Sequence, residues 1–452
     1  MAEAEESTVK AKPEDTGQET LPGILEVSGN SRPIWIEPDL DFIHTLGKYG
    51  EDFYKKCFQC GTCSGTCSLS PDYMPFPGKE MAWAAWGMKD QLLKDPDVWL
   101  CYQCNDCSVR CPRGARPGDV LAAVRKESIK HYAVPRFLAR WIHEPKYLPM
   151  LLGIPAALLG IALTVKEPLG RALGFSAYNS DEIVYSYSSV FPHWILNSFF
   201  LFFTLLMLVA MIAGVKRFWN GMKSSVVNFE AQKPVKGIFP SFVDAVKEVI
   251  THDKFSKCEQ SRSRLSSHLL VFFGFLALTM VTLWIITSGI NPIIRGEFVY
   301  PFNFWSPWKL LANIGGAALL AGCTLMLRSR LIDKEHAGGS SYFDYAFIWA
   351  IIAVVLTGFI TEVMHYIRLE PHRHVIYFVH LVFVCSLILY LPYSKFAHIF
   401  YRTTALAYAE HIGRMREIER SLAEDEKASK DDEQKSAPEN AEKPTGEEAV
   451  QP

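Results

Sequence analysis

From about residue 147 onward the chain alternates long apolar runs with polar connections. Six runs approach the roughly 20 apolar residues that a membrane-crossing helix needs. They are Tyr147–Val165, His193–Val215, His268–Ile290, Trp308–Leu327, Phe343–Tyr366 and Val375–Tyr393, with Glu362 the notable charge inside them. Upstream the pattern changes. In "GKEMAWAAWGMKDQLLKDP" and "GDVLAAVRKESIKHY" apolar positions recur at three and four, a helical period. Trp83 and Trp86 on the first of these read as core or interface residues. Between the second and third runs, "FPSFVDAVKEVITHDKF" carries Phe242, Val243, Val246, Val249 and Ile250 at helical spacing. That helix is expected on the membrane face or against the N-terminal part. "NIGGAALLAG" in the fourth run offers small residues for close helix packing. The pattern predicts an all-α protein, with a helical domain over 31–140 and a six-helix bundle over 141–410. Polar tails over 1–30 and 411–452 bury too little apolar surface to order themselves.

Charge distribution orients the bundle. The loop 216–267 carries ten basic residues, and Arg328, Arg330 and Lys334 follow the fourth run. Lys395 and Arg402 follow the sixth, whereas the opposite connections hold only Lys166, Arg171, Arg295, Arg368 and Arg373. The basic side is cytoplasmic. Six crossings then put both termini in the cytoplasm, and the start "MAEAEESTVKAKPEDTG" has no secretory-signal pattern. The chain reads as a multi-pass protein of the cytoplasmic membrane. Net charge is −2 and no nucleic-acid partner is expected.

The cysteines supply the first chemistry. "CFQCGTCSGTC" from Cys57 and "CYQCNDCSVRCP" from Cys101 both read C-x2-C-x2-C-x3-C, the spacing of two-cluster ferredoxins. Three cysteines at i, i+3 and i+6 wrap one iron–sulfur cube, and the fourth reaches the other. One [4Fe–4S] cluster is therefore assigned to Cys57, Cys60, Cys63 and Cys111, and the second to Cys101, Cys104, Cys107 and Cys67. Gly61 and Gly65 suit the tight first loop. Zinc, which takes four ligands from two C-x2-C knuckles, fits this doubled pattern poorly. Cys258, Cys323 and Cys385 are isolated and read as packing residues.

Histidines supply the second. Ionisable side chains within membrane runs are functional candidates. His380 and His398 lie 18 residues apart, five turns of one helix and about 27 Å of rise, with Pro392 a candidate kink between them. One helix would thus offer a haem b ligand near each membrane face, for one or two haems. His268 matches His398 in depth for an inner haem. His193, with His365 as the alternative, would partner His380 for an outer haem. His372 and His374 read as interface residues; His131, His143, His252, His336 and His411 fall outside the runs and read as ordinary. Bis-histidine haems shuttle electrons, so a lipid-soluble quinone is the expected membrane substrate. Glu362, His365 and Arg368 at the outer end of the fifth run, or Lys395 and His398 at the inner end of the sixth, are candidate quinone sites able to take protons.

With these residues in place the chain resembles a known family. The cysteine sets resemble the C-type iron–sulfur subunit of heterodisulfide reductase. "RSRLSSHLLVFFGF" and "VHLVFVCSLILYLPYSKFAHIFYR" resemble its E-type membrane subunit and the gamma subunit of respiratory nitrate reductase. The fusion, over about residues 35–405, is similar to the C-type subunit of the quinone-interacting membrane-bound oxidoreductases of sulfate reducers. The resemblance implies a quinone-linked oxidoreductase subunit. It implies electron exchange between menaquinol and two soluble flavin and iron–sulfur subunits, with adenosine phosphosulfate reductase as acceptor. It matches His380, His398 and His268 to the family's haem ligands. One departure stands out: Leu278 occupies the position where nitrate-reductase-type gamma subunits carry a further histidine. The rivals are a heterodisulfide-type or other respiratory reductase subunit and, from a different class, a non-redox membrane anchor whose clusters serve folding alone.

Overall fold

A computed structural model describes residues 37–50, 52–71, 75–172, 187, 190–225, 234–256, 258, 262–290, 302–332, 338–369, 372–414 and 427. The expected tail over 1–30 lies outside these residues, as does nearly all of that over 411–452. The described residues form helices and connections, with no strand among them.

Three helices frame the cysteine-rich part: α1 (Leu40–Gly50), α2 (Gly78–Ala85) and α3 (Pro117–Tyr132). Pro117 opens α3 at the first helical position, where its missing N–H costs nothing. Phe42, Leu46, Met81, Trp83, Leu92, Leu121 and Val124 fill the space between them. Trp83 is core, as its spacing predicts, whereas Trp86 is exposed.

Five helices are long and apolar enough to cross a membrane: α4 (Leu148–Ala172), α5 (His193–Lys223), α7 (Arg262–Ile290), α8 (Pro307–Ile332) and α9 (Tyr342–Ile367). Large apolar side chains such as Phe202, Val209, Leu283, Ile314 and Trp349 face outward from them. That face suits lipid rather than water. On α7 and α8 the glycines explain the contact. A Cβ on Gly274 would lie 2.7 Å from the Gly315 carbonyl, and one on Gly322 would lie 2.8 Å from the Ser267 carbonyl. The two backbones touch there, which only glycine permits. The capping box of Ser341 and Asp344 starts α9.

The sixth run differs from the expectation. It forms α10 (His372–Leu389), shorter than a full crossing, followed by a single 3-10 turn, Leu391–Tyr393. A separate helix, α11 (Ala397–His411), then begins. Pro392 lacks the N–H a continuing helix needs, and its ring crowds the carbonyl one turn earlier. His380 and His398 therefore stand on different helices, and the five-turn alignment does not exist.

After this break α11 packs mainly into the cysteine-rich part, while Ile399 near its start still meets the bundle core around Leu319 and Ile348. Tyr401 stacks on Trp99 at 5.4 Å, and Phe218 from the end of α5 meets Trp99 edge-on at 6.2 Å. At 31 residues α5 is about 46 Å long, well beyond the hydrocarbon thickness. Its last turns thus deliver Phe218 and Met222 to the same core as α1–α3. Arg414 beyond α11 reaches Asp97 at 2.5 Å, both groups buried. Alanine at Tyr401 is expected to cost about 3–5 kcal/mol, as for large aromatic deletions. The chromophore of the cysteine-rich part should then bleach at a clearly lower temperature than in the parent chain.

The amphipathic helix α6 (Ile238–Thr251) lies along α11, burying Ser241 and Ala245. Phe239, Phe242, Val243 and Ile250 stay exposed. Its small residues and Val249 face the protein, which agrees with the expected location against the N-terminal part.

Candidate electron-transfer site

The two cysteine loops adopt the same backbone. Gln59 and Gln103 take positive φ (56° and 54°), as do Gly61 and Asn105 (77° and 71°). These left-handed residues turn three successive cysteine side chains toward one side. In each loop an amide aims at the first sulfur: Gln59 N–H to Cys57 Sγ at 3.4 Å and Gln103 N–H to Cys101 Sγ at 3.3 Å. Ala115 N–H points at Cys111 Sγ, also at 3.4 Å.

Cys57, Cys60, Cys63 and Cys111 line one cavity. Cys67, Cys101, Cys104 and Cys107 line another, and Cys67 also borders the first. The structure thus groups the eight thiols in the crossed three-plus-one arrangement. All eight are free of disulfides. Burial, with Cys57 adding repulsion, pushes the Cys63 thiol up to about 11. Burial and Cys101 push Cys67 up to about 12, and Cys107 moves the same way. Thiolates crowded into one cavity repel one another and need a cationic centre to offset this, which a cubane of iron and sulfide provides. The donor set therefore fits a [4Fe–4S] cluster in each cavity.

The surroundings of the two sets differ. The first opens to the surface: Cys60 is exposed and Phe58 is 67% exposed, with Arg113 over its ring at 4.1 Å. The second is closed in by basic side chains from three helices. Arg125 on α3 donates to the Val98 and Cys101 carbonyls at 2.7 and 2.8 Å. Arg402 on α11 donates to the Cys101 carbonyl at 3.1 Å and lies 3.7 Å from the Tyr102 ring centre. Arg264 on α7 donates to the Gln103 carbonyl at 2.9 Å. Tyr102 also hydrogen-bonds Glu248 of α6.

Arg264 and Arg402 connect this loop to the histidines. Arg264 stands four residues before His268 and Arg402 four residues after His398, one helical turn in each case. The His398 ring donates through Nδ1 to the Lys395 carbonyl, which leaves Nε2 as the ligating nitrogen. His268 lies on α7 one turn beyond Arg264. Its Nδ1 is buried without a hydrogen-bond partner. His252 lies with its ring 5.1 Å from that of His268, and Phe255 and Phe272 border the pair. His252, His268 and His398 are the imidazoles that could hold a haem here. His252 was not expected: it ends α6, far from any apolar run, and only the fold of the loop carries it to α7.

The outer candidates are less gathered. His380 lies eight residues into α10, its Nδ1 3.1 Å from Thr357 Oγ1 on α9 and its ring against Gly358. His365 lies eight residues beyond Thr357 on α9, about 12 Å of rise, beside Tyr187 at 5.6 Å. His193 is exposed at the first position of α5. Glu362 is held between helices, 3.1 Å from Lys309 and 3.2 Å from Asn313, both on α8. Lys395 is 2.5 Å from Asp344. Both quinone-site candidates thus have structural partners. Cys323 and Cys385 are buried packing residues. Cys258 is different: its sulfur, that of Cys104 and an Asp106 oxygen lie within 4.8 Å of one another.

Comparison with known proteins agrees with this division. The family profile "4Fe-4S dicluster domain" matches residues 54–115 and supports two [4Fe–4S] clusters. The profile "Citrate utilization protein B" matches residues 180–418, more than half of the chain. The chain belongs to the citrate utilization protein B family. Citrate utilization protein B of Escherichia coli is 23% identical over 376 residues, 77% of this chain and 88% of that protein. Over the N-terminal part the chain is similar to two archaeal proteins. One is the C-type subunit of the H(2):CoB-CoM heterodisulfide,ferredoxin reductase of Methanothermobacter marburgensis, 34% identical over 113 residues. The other, from Archaeoglobus profundus, is a protein like the C-type subunit of heterodisulfide reductase, 29% identical over 118 residues. These matches take 23% and 26% of this chain and span 60% and 63% of those relatives' length. No solved structure matches. This member of the citrate utilization protein B family therefore joins two parts. One is an iron–sulfur domain like the C-type subunit of heterodisulfide reductase, and the other is a set of apolar helices able to cross a membrane.

Proposed function

We propose that the chain is the membrane electron-transfer subunit of a quinone-linked oxidoreductase. It exchanges electrons between menaquinol and two cytoplasmic flavin and iron–sulfur subunits, with adenosine phosphosulfate reductase as the downstream acceptor in sulfate respiration. When bound, b haem and two [4Fe–4S] clusters supply the one-electron carriers. Inner haem ligation falls to His268 and His398, and outer ligation to His380 with His193 or His365. The basic side of the bundle faces the cytoplasm with both termini.

The observation that carries this reading is the double clamp on the second cysteine loop. Arg264 and Arg402 each grip it one turn from a candidate haem ligand. The membrane helices thereby hold the second set at fixed distance and orientation, and their positive charge favours its more negative, reduced state. The first set, with Cys60 at the surface, is the face for the soluble partner. A second reading, a subunit serving citrate utilization, is favoured by the coverage of the E. coli relative and keeps the same electron route with another partner.

The test is anaerobic addition of a menaquinol analogue to the purified complex. A b-type haem spectrum should appear reduced, together with the paramagnetic signals of two [4Fe–4S] clusters. A complex without haem would overturn the quinone-linked reading and favour the anchor. Haem without cluster reduction would break the proposed route.

A further inference from the structure

Cys258 belongs to neither cysteine motif, yet it is 1% exposed and lines the cavity of Cys67, Cys101, Cys104 and Cys107. Its sulfur is grouped with Cys104 Sγ and an Asp106 carboxylate oxygen within 4.8 Å. It comes from a segment 154 positions away, between α6 and α7, where its own amide donates to the Phe255 carbonyl at 3.3 Å. His268 follows ten residues later on α7. The Cys258 S–H is a donor with an acceptor sulfur at hand.

We propose that Cys258 is a positioning residue: its S–H donates to Cys104 Sγ and raises the reduction potential of the [4Fe–4S] cluster held by the second set. This rests on the reading that Cys104 is a ligand of that cluster. A hydrogen bond to a ligand sulfur stabilises the form with more negative charge on the cluster, which is the reduced one. The same bond ties the cluster to the segment that enters the membrane with His268. The backbone donors seen elsewhere serve Cys57, Cys101 and Cys111. Cys258 would add to Cys104 a side-chain donor from the membrane half of the chain, beside the Asp106 backbone.

The test compares Cys258→Val, which fills the volume without a donor, with Cys258→Ser, which keeps one. Each is made in the full complex and titrated electrochemically with paramagnetic resonance detection. Valine should shift one cluster's midpoint negative by a change approaching tenfold in the reduced-to-oxidised ratio, about 59 mV for one electron. Serine should restore most of it, and the other cluster should not move. Unshifted potentials with valine, or equal shifts with valine and serine, would show a packing residue and overturn the proposal. Loss of one cluster with either variant would make Cys258 a ligand and overturn it equally. If valine prevents assembly, Cys258→Ala carries the same expectation. Iron and acid-labile sulfide keep the two failures apart. Full two-cluster content with unmoved potentials sinks only the role of Cys258, whereas deficient content in the parent chain sinks the cluster assignment beneath it.

Discussion

Replacing His268 with alanine is expected to abolish menaquinol-driven reduction of the iron–sulfur clusters while leaving both clusters in place. If His268 and His398 hold a haem, losing one imidazole would lower its affinity by more than the roughly 10–100-fold that follows loss of a ligand's hydrogen-bond partner. The histidine sits one turn from Arg264, whose contact with the Gln103 carbonyl depends on backbone placement rather than on the imidazole. Chemical reduction with a small soluble donor should therefore still reach the clusters at the parental rate. The combination expected is near-background quinol activity, one b-type signal missing, and unchanged iron and sulfide. His252 gives the informative control. Its ring lies 5.1 Å from His268, so a haem that persists in His268→Ala and vanishes in His252→Ala would assign ligation to His252. If both variants keep full haem and activity, the inner site is elsewhere.

The parts of this arrangement that were readable in advance are those whose chemistry is local in the chain. Cysteines at i, i+3 and i+6 converge because one loop places them, and the left-handed turns at Gln59 and Gln103 are the means. The apolar runs were readable for the same reason, since a helix satisfies its backbone within itself. The sixth run misled because its hydrophobicity continues smoothly past Leu389, while the decisive residue, Pro392, acts on backbone geometry and not on hydropathy. The helix that follows it is only moderately apolar, but its tyrosines and alanines fit between Trp99, Phe218 and Met222. No periodicity in α11 itself distinguishes that environment from lipid. Cys258 and His252 were unreadable for a different reason. Each meets its neighbour only after α6 has docked on α11 and the loop has folded back to the cysteine part. Glu362 illustrates the reverse case, a charge conspicuous in the sequence that the fold places between Lys309 and Asn313.

Asp344→Asn should be the most destabilising change at the junction between the cysteine part and the membrane helices. The carboxylate is 3% exposed, 2.9 Å from Lys126 on α3 and 2.5 Å from Lys395 ahead of α11. It also accepts from the Ser341 backbone N–H at 3.0 Å, closing the cap of α9. Asparagine keeps the shape and an acceptor but strands two ammonium groups. Removing one partner from a buried ionic group costs about 3–5 kcal/mol, because the charge left behind is uncompensated. Lys126→Met alone should cost less, since Asp344 keeps Lys395. Added to Asp344→Asn it should recover part of the loss, since one of the two stranded charges is then gone. Unfolding in detergent, followed through cluster absorbance, gives the order of stability: parent, Lys126→Met, double variant, Asp344→Asn. The effect should also reach the haem. Lys395 supplies the carbonyl that orients His398 through Nδ1, so releasing its side chain from Asp344 loosens the turn that aims Nε2. A shifted low-spin haem signal in Asp344→Asn, with unaltered cluster signals, would connect the ion pair to ligation. Equal stability of Asp344→Asn and the parent would mean that the junction is held by the Trp99–Tyr401 core alone.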